Sequence, residues 1–122
     1  MFPRPLTHQE KELVYWLLKQ RNDLSETYNI QVNDLLVKSA CSCGCASIDF
    51  KYKNIDQLTD SKSNIEIIAD YKWKDENGNL FGIFLFSKEN ILAGLEVWSI
   101  DGNLTPRKLP AILKLIPINQ DF

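Results

Sequence analysis

The dipeptide Asn77-Gly78 constrains this chain most. Two residues that accept positive φ, set between alternating apolar runs, specify an antiparallel hairpin. Upstream, Ile65 to Lys74 alternates and places Ile67, Ala69, Tyr71 and Trp73 on one side. Downstream, Leu80 to Phe86 and Ile91 to Ser99 have the length and apolar content of two more strands, and Asp101-Gly102 closes the last one. Ile48, Phe50 and Tyr52 alternate with Asp49 and Lys51 in a further half-exposed strand. A polar stretch from Asn54 to Asn64 separates it from the hairpin.

The first third of the chain has a different period. Thr7 followed three residues later by Glu10 is a capping box, in which hydroxyl and carboxylate satisfy amides at a helix start. Leu13, Val14, Leu17 and Leu18 then recur on one helical stripe, and Asn22-Asp23 ends the element. Leu24, Tyr28, Val32 and Leu35, separated by four, four and three residues, predict a second helix. The C-terminal segment is punctuated by Pro106, Pro110 and Pro117. Its Leu109, Ile112, Leu113 and Ile116 suit either a short helix or an irregular apolar strap. The expectation is one α+β domain: a helical layer over residues 1–36, an antiparallel sheet over 37–101 and an apolar tail over 102–122. Its two N-terminal helices pack on a meander sheet of four or five strands.

Composition narrows the function classes. With 122 residues and 44% hydrophobic side chains, the chain can build a core. Fourteen basic against 16 acidic residues leave no electrostatic footprint for nucleic acid, and Arg4, Arg21 and Arg107 are scattered. Lysines 51, 53, 72 and 74 form small pairs, as on a solvated face. No apolar run approaches the roughly 18–20 residues of a membrane span. The opening Met-Phe-Pro-Arg-Pro lacks the apolar core of a secretory signal, which points to the cytoplasm. No nucleophile elbow, Walker loop, dinucleotide fingerprint or zinc-protease motif is present, so no enzyme and no cofactor is expected.

A two-residue turn at Asn77-Gly78 pairs residues whose numbers sum to 155, so Trp73 lies opposite Gly82 and Tyr71 opposite Phe84. A two- or four-residue turn near Glu89-Asn90 then puts Phe84 beside Leu95. The core face collects Tyr71, Trp73, Phe84, Phe86, Leu95 and Val97. The opposite face carries Asp70, Lys72, Phe81, Ile83, Leu85, Glu96 and Trp98, an unusually apolar set for an outward face. Either the tail folds over it, or a partner protein or a second copy does. A three-residue turn would exchange the faces of the last strand. The candidate partner-binding residues are therefore Trp98, Glu96, Phe81, Ile83, Asp70 and Lys72, aromatic anchors among charges. Asp70 and Glu96 could also meet as paired carboxylates across the central strand, although Lys72 beside them favours ordinary salt bridging.

Cys41-Ser42-Cys43-Gly44-Cys45 is the sharpest local feature. Three crowded cysteines make a poor disulfide framework and suit a reducing compartment. On an extended segment they share one side, where buried cysteine behaves as a small hydrophobe, with Gly44 at a bulge or close approach. Three thiolates could equally ligate a soft metal such as Cu(I) or Zn(II), or do redox chemistry. A four-ligand zinc site lacks its fourth cysteine, and His8 is the only histidine.

Three stretches carry a resemblance. Arg4-Pro5-Leu6-Thr7 leading into the Glu12 to Leu18 helix is the first. The second is the Cys41 to Cys45 cluster running into Ser47-Ile48-Asp49-Phe50, and the third is Leu92-Ala93-Gly94-Leu95-Glu96-Val97. Together they resemble small single-domain bacterial proteins that look like immunity partners of polymorphic or contact-dependent growth-inhibition toxins. The resemblance implies a small cytosolic protein that binds a cognate toxin domain and blocks it. It assigns no chemical role to any of these motifs, and the charge of -2 departs from strongly acidic nucleic-acid mimics.

Overall fold

In the computed structural model, which describes residues 2–52 and 65–122, seven antiparallel strands form one sheet with two helices against one face. The expected polar stretch from Asn54 to Asn64 and Lys53 lie outside the described residues. The strands are β1 (Arg4–Pro5), β2 (Leu35–Ala40), β3 (Ile48–Tyr52), β4 (Ile65–Lys74), β5 (Leu80–Lys88), β6 (Ile91–Ser99) and β7 (Ile116–Pro117). Their order is β1-β2-β3-β6-β5-β4-β7, a central meander extended on both edges. The α+β class is as expected, but the sheet has seven strands in place of four or five. Strand β3 pairs with β6 and not with β4, so the longer strands do not form one meander.

Helix α1 (His8–Lys19) starts where the capping box places it. Thr7 Oγ1 accepts from the Glu10 amide at 3.1 Å, and the Thr7 amide donates to Glu10 Oε1 at 2.8 Å. Arg4 adds a two-pronged pair to the Glu10 carboxylate, 2.9 Å on each arm. Helix α2 (Ser25–Val32) ends earlier than its periodicity suggests, and Leu35 and Leu36 open strand β2. Leu35 and Val37 point inward from β2, so Leu35 satisfies a helical and an alternating pattern at once.

The helices seal the core through Leu13, Val14, Leu17, Leu18, Tyr28 and Val32. Buried Tyr28 donates its hydroxyl to Ser87 Oγ at 3.1 Å, and Gln31 clamps the β5–β6 turn by bonding Asn90 O and the Leu92 amide. Trp16 meets Tyr71 edge to face at 5.1 Å.

The sheet register differs from the expected one in three places. A bulge at Ile68 parts Ile67 from Ala69, Tyr71 and Trp73 and sets it across from Phe86 on the outer face. The other two changes lie one at each end of β5. Asn77-Gly78 does sit in a hairpin, but the loop has three residues. Asp75 and Asn79 close it, and Gly78 takes φ +84°. The Asp75 carboxylate causes this by accepting from the Asn77 and Asn79 amides and from Asn79 Nδ2 at 2.8–2.9 Å. Trp73 therefore faces Phe81, not Gly82, and Tyr71 faces Ile83. At the other end Glu89 and Asn90, both at positive φ, make a two-residue turn. A bulge at Ala93 then moves Phe84 from Leu95 to Glu96.

A one-residue slip reverses every side chain of a strand. Phe81, Ile83 and Leu85, expected outside, are core residues at 4%, 0% and 0% exposure. Phe84 and Phe86, expected in the core, lie on the outer face with Asp70, Lys72, Glu96 and Trp98.

The tail wraps an edge and leaves the face around Trp98 uncovered. Leu115 is buried, Leu109 and Ile112 pack on the core, and β7 pairs with β4 at Tyr71 and Lys72. Terminal Phe122 places its ring 4.5 Å from Lys72 Nζ and 5.1 Å from Lys74 Nζ. Among the described residues, no helix is long and apolar enough to cross a membrane.

Candidate functional site

The outer face is built around two glycines. Gly82 lies directly across from Trp98, and a Cβ there would stand 2.5 Å from Cε2 and 2.9 Å from Cζ2 of the indole. Gly94 lies across from Phe86, where a Cβ would meet the Phe86 ring at 2.9 Å and the Ile48 carbonyl at 2.6 Å. Each ring thus lies down on a glycine of the neighbouring strand, which levels the surface. Phe84 stands beside Phe86 with ring centroids 5.8 Å apart. Ile65, Phe84, Phe86, Glu96 and Trp98 line a groove of about 440 Å³. Trp98 is 40% exposed, Ile65 is exposed in the same groove, and exposed Ile67 lies across from Phe86, which is itself buried at 8%.

Charges flank this apolar strip. Asp70 and Glu96 occupy the two positions across from Phe84, one on each neighbouring strand. Burial holds the Glu96 carboxyl above its ordinary range, and the nearby Asp49 carboxylate pushes it further. Burial likewise raises Asp70, whose Oδ1 is enclosed with no hydrogen-bond partner among the described residues. Of the six expected contact residues, the fold brings Trp98, Glu96, Asp70 and Lys72 onto one face and takes Phe81 and Ile83 into the core. Phe84, Phe86, Ile65 and Ile67 were missed. The signal for Phe86 was Gly94, since a glycine in a central strand leaves room for a ring from across the ladder.

The cysteine cluster forms an exposed loop between β2 and β3, not a buried extended segment. Gly44 turns the chain with φ +89°, and the Arg107 guanidinium lies against it. Cys41 and Cys43 are exposed and Cys45 is half-buried, and their three Sγ atoms lie within 4.8 Å of one another. The Cys43 amide donates to Cys41 Sγ and the Cys45 amide to Cys43 Sγ, both at 3.4 Å. Hydrogen bonding to Cys43 pushes the Cys41 thiol up to about 11, and the same contact holds Cys43 below the ordinary thiol range. A separate concavity of about 450 Å³ lies under the tail, between Trp73 and Phe81 and a rim that includes Arg107, Lys108 and Lys114.

Residues 3–107 match the model of a domain of unknown function, DUF6984. The chain belongs to this family. The matched span of the DUF6984 chain holds both helices, strands β1 to β6, the cysteine loop and every outer-face residue named above. No curated protein and no solved structure matches the chain.

Proposed function

We propose that this DUF6984 chain is a non-enzymatic protein-binding module whose contact surface is the outer sheet face, with Trp98 as its anchor. One observation carries the reading: Gly82 lets the 40% exposed Trp98 lie flat on the outer face, where it lines a groove with half-buried Phe84, buried Phe86 and exposed Ile65 between carboxylates. An exposed tryptophan beside an apolar groove and among charges matches the composition of interface hot spots. The adjacent Asp49 and Glu96 repel one another, so a partner cation placed there would relieve a cost already present. The partner that fits is a protein offering an apolar side chain for the groove and a basic residue beside it.

The class of partner rests on resemblance rather than on geometry. On that basis the partner is a cognate bacterial toxin domain, and the chain acts in the cytoplasm as its immunity protein. Affinity capture from the cells that encode the chain tests both levels. The expected result is a single toxin-like polypeptide that is retained by the wild type and by Leu113→Ala, a fully exposed site elsewhere. It should be lost with Glu96→Lys and with Trp98→Ala. Equal retention by those two variants would overturn the surface. A symmetric dimer through Trp98 with no second polypeptide would overturn the toxin reading.

A further inference from the structure

We propose that Cys41, Cys43 and Cys45 form a trigonal thiolate site for Cu(I) on the β2–β3 loop. Three soft ligands on alternating residues suffice for such an ion only if the backbone turns them towards one point, and here it does. The three Sγ atoms already lie within 4.8 Å of one another. A trigonal centre with metal–sulfur bonds of about 2.3 Å needs sulfurs about 4 Å apart, so rotation of the side chains alone closes it.

The loop is held for this by its main chain. The Cys41 amide bonds Ser47 O, the Gly44 amide bonds Cys41 O, and the Ala46 amide bonds Pro106 O at 2.8 Å. Amide donors from Cys43 and Cys45 reach Cys41 Sγ and Cys43 Sγ, the outer-shell bonds that orient and stabilise metal-bound thiolates.

Ligand number selects the metal. A structural zinc site closes with four protein ligands. Among the described residues no fourth histidine, cysteine or carboxylate joins this group, and His8 instead pairs with Glu12 on α1. Three thiolates without a fourth ligand suit the soft monovalent ion. Three thiolates less one cation leave two negative charges. Arg107, against Gly44, and Lys108, in the concavity beside Cys45, lie where they offset that charge. Binding changes no oxidation state. Each thiol gives its proton to solvent as a sulfur–copper bond forms, so affinity falls as the pH is lowered.

The site is independent of the outer face and is tested on the isolated chain. Reduced protein is titrated anaerobically with Cu(I) against a chromogenic Cu(I) chelator, and separately with Zn(II) and Co(II). One Cu(I) per chain is expected, with three sulfur neighbours by X-ray absorption. Cys43→Ser should weaken it by about tenfold or more, the scale on which even outer-shell partners count. The triple serine variant should bind none while keeping the folded circular-dichroism spectrum, with its unfolding midpoint lowered only by the loss of half-buried Cys45 from the core edge. Failure of the wild type to compete for Cu(I), or equal retention by the triple variant, would overturn the site. Tighter Zn(II) binding with a tetrahedral Co(II) spectrum would overturn the choice of Cu(I).

Discussion

Replacing Gly82 by alanine tests the register of the sheet and the outer face together. The added methyl group would stand 2.5 Å from the Trp98 ring, well inside van der Waals contact, so the indole must lift off β5. Overpacking of this kind costs about 1–3 kcal/mol. Against it runs a gain of about 0.4–1 kcal/mol, because alanine narrows the unfolded ensemble wherever the folded backbone accepts it. Gly82 has no positive φ, so that gain applies. The net expectation is a loss of about 1–2 kcal/mol.

The decisive measurement is a double-mutant cycle with Trp98→Ala, read by urea unfolding followed by circular dichroism. Once the indole is gone, Gly82→Ala meets open space, and its effect should change sign to a gain of about 0.4–1 kcal/mol. The coupling between the two sites is then about 2 kcal/mol, far above the few tenths found for independent sites. A parallel cycle of Gly82→Ala with Trp73→Phe should show no such coupling, because Trp73 faces Phe81. If the coupling appears with Trp73 and not with Trp98, the three-residue loop and the outer face built on it are wrong.

Three further substitutions follow from the carboxyl groups of buried Glu10 and half-buried Asp70 and Glu96. Burial raises the Glu10 carboxyl, but bonds from Arg4 and Thr7 outweigh it and hold the group below its ordinary range. The stability it contributes is present above the unfolded value and lost as pH falls through the folded one. Glu10→Ala should therefore cost about 1–3 kcal/mol at pH 7 and much less in acid, where the wild type too has lost the carboxylate that bonds Arg4 and the Thr7 amide. A cost in denaturant melts that does not change with pH would refute this. Asp70 and Glu96 are raised, so the opposite sign holds: their contribution is complete below the unfolded values and is lost as pH rises through the folded ones. Asp70→Asn and Glu96→Gln should each stabilise the chain at pH 7, by about 1 kcal/mol for the enclosed Asp70. The gain should vanish near pH 4, and a neutral-pH loss in either variant would count against the burial argument.

The parts of this fold that were legible in sequence are those set by contacts a few residues apart. Thr7 and Glu10 announce α1 because the capping box is complete within four residues. Asn77-Gly78 announces a hairpin for the same reason. The number of residues in that loop depended on the Asp75 carboxylate capturing two amides, and this competes with the type I′ turn the dipeptide favours. The β5–β6 turn was legible at Glu89-Asn90, while the bulge three residues later carries no comparable mark. The cysteine loop was misread because alternation alone cannot register that Gly44 turns the chain back at positive φ. The two-residue strands β1 and β7 exist only as pairings to an edge, and nothing within two residues specifies a partner.

Strand β5 shows why these local details decide the function-bearing surface. Its sequence, Leu80 to Lys88, is apolar on both faces: Phe81, Ile83 and Leu85 on one, Phe84 and Phe86 on the other. Hydrophobic patterning normally pins a register by penalising the wrong face, and here either face would bury well. What breaks the tie is shape. With Phe81, Ile83 and Leu85 inward, Gly82 lies under Trp98, and the helices receive a continuous layer of large side chains. In the slipped register Gly82 would turn inward, leaving a gap beneath α1 and α2, and Trp98 would lose its seat. The Asp75 loop and the Ala93 bulge sit at opposite ends of β5, and each shifts the pairing with one neighbour by one residue. Removing the Asp75 carboxylate should therefore loosen the choice between two nearly equivalent faces. Asp75→Ala is expected to broaden the amide resonances of β5 ahead of those of β3, because β3 is not paired to the strand that would slip.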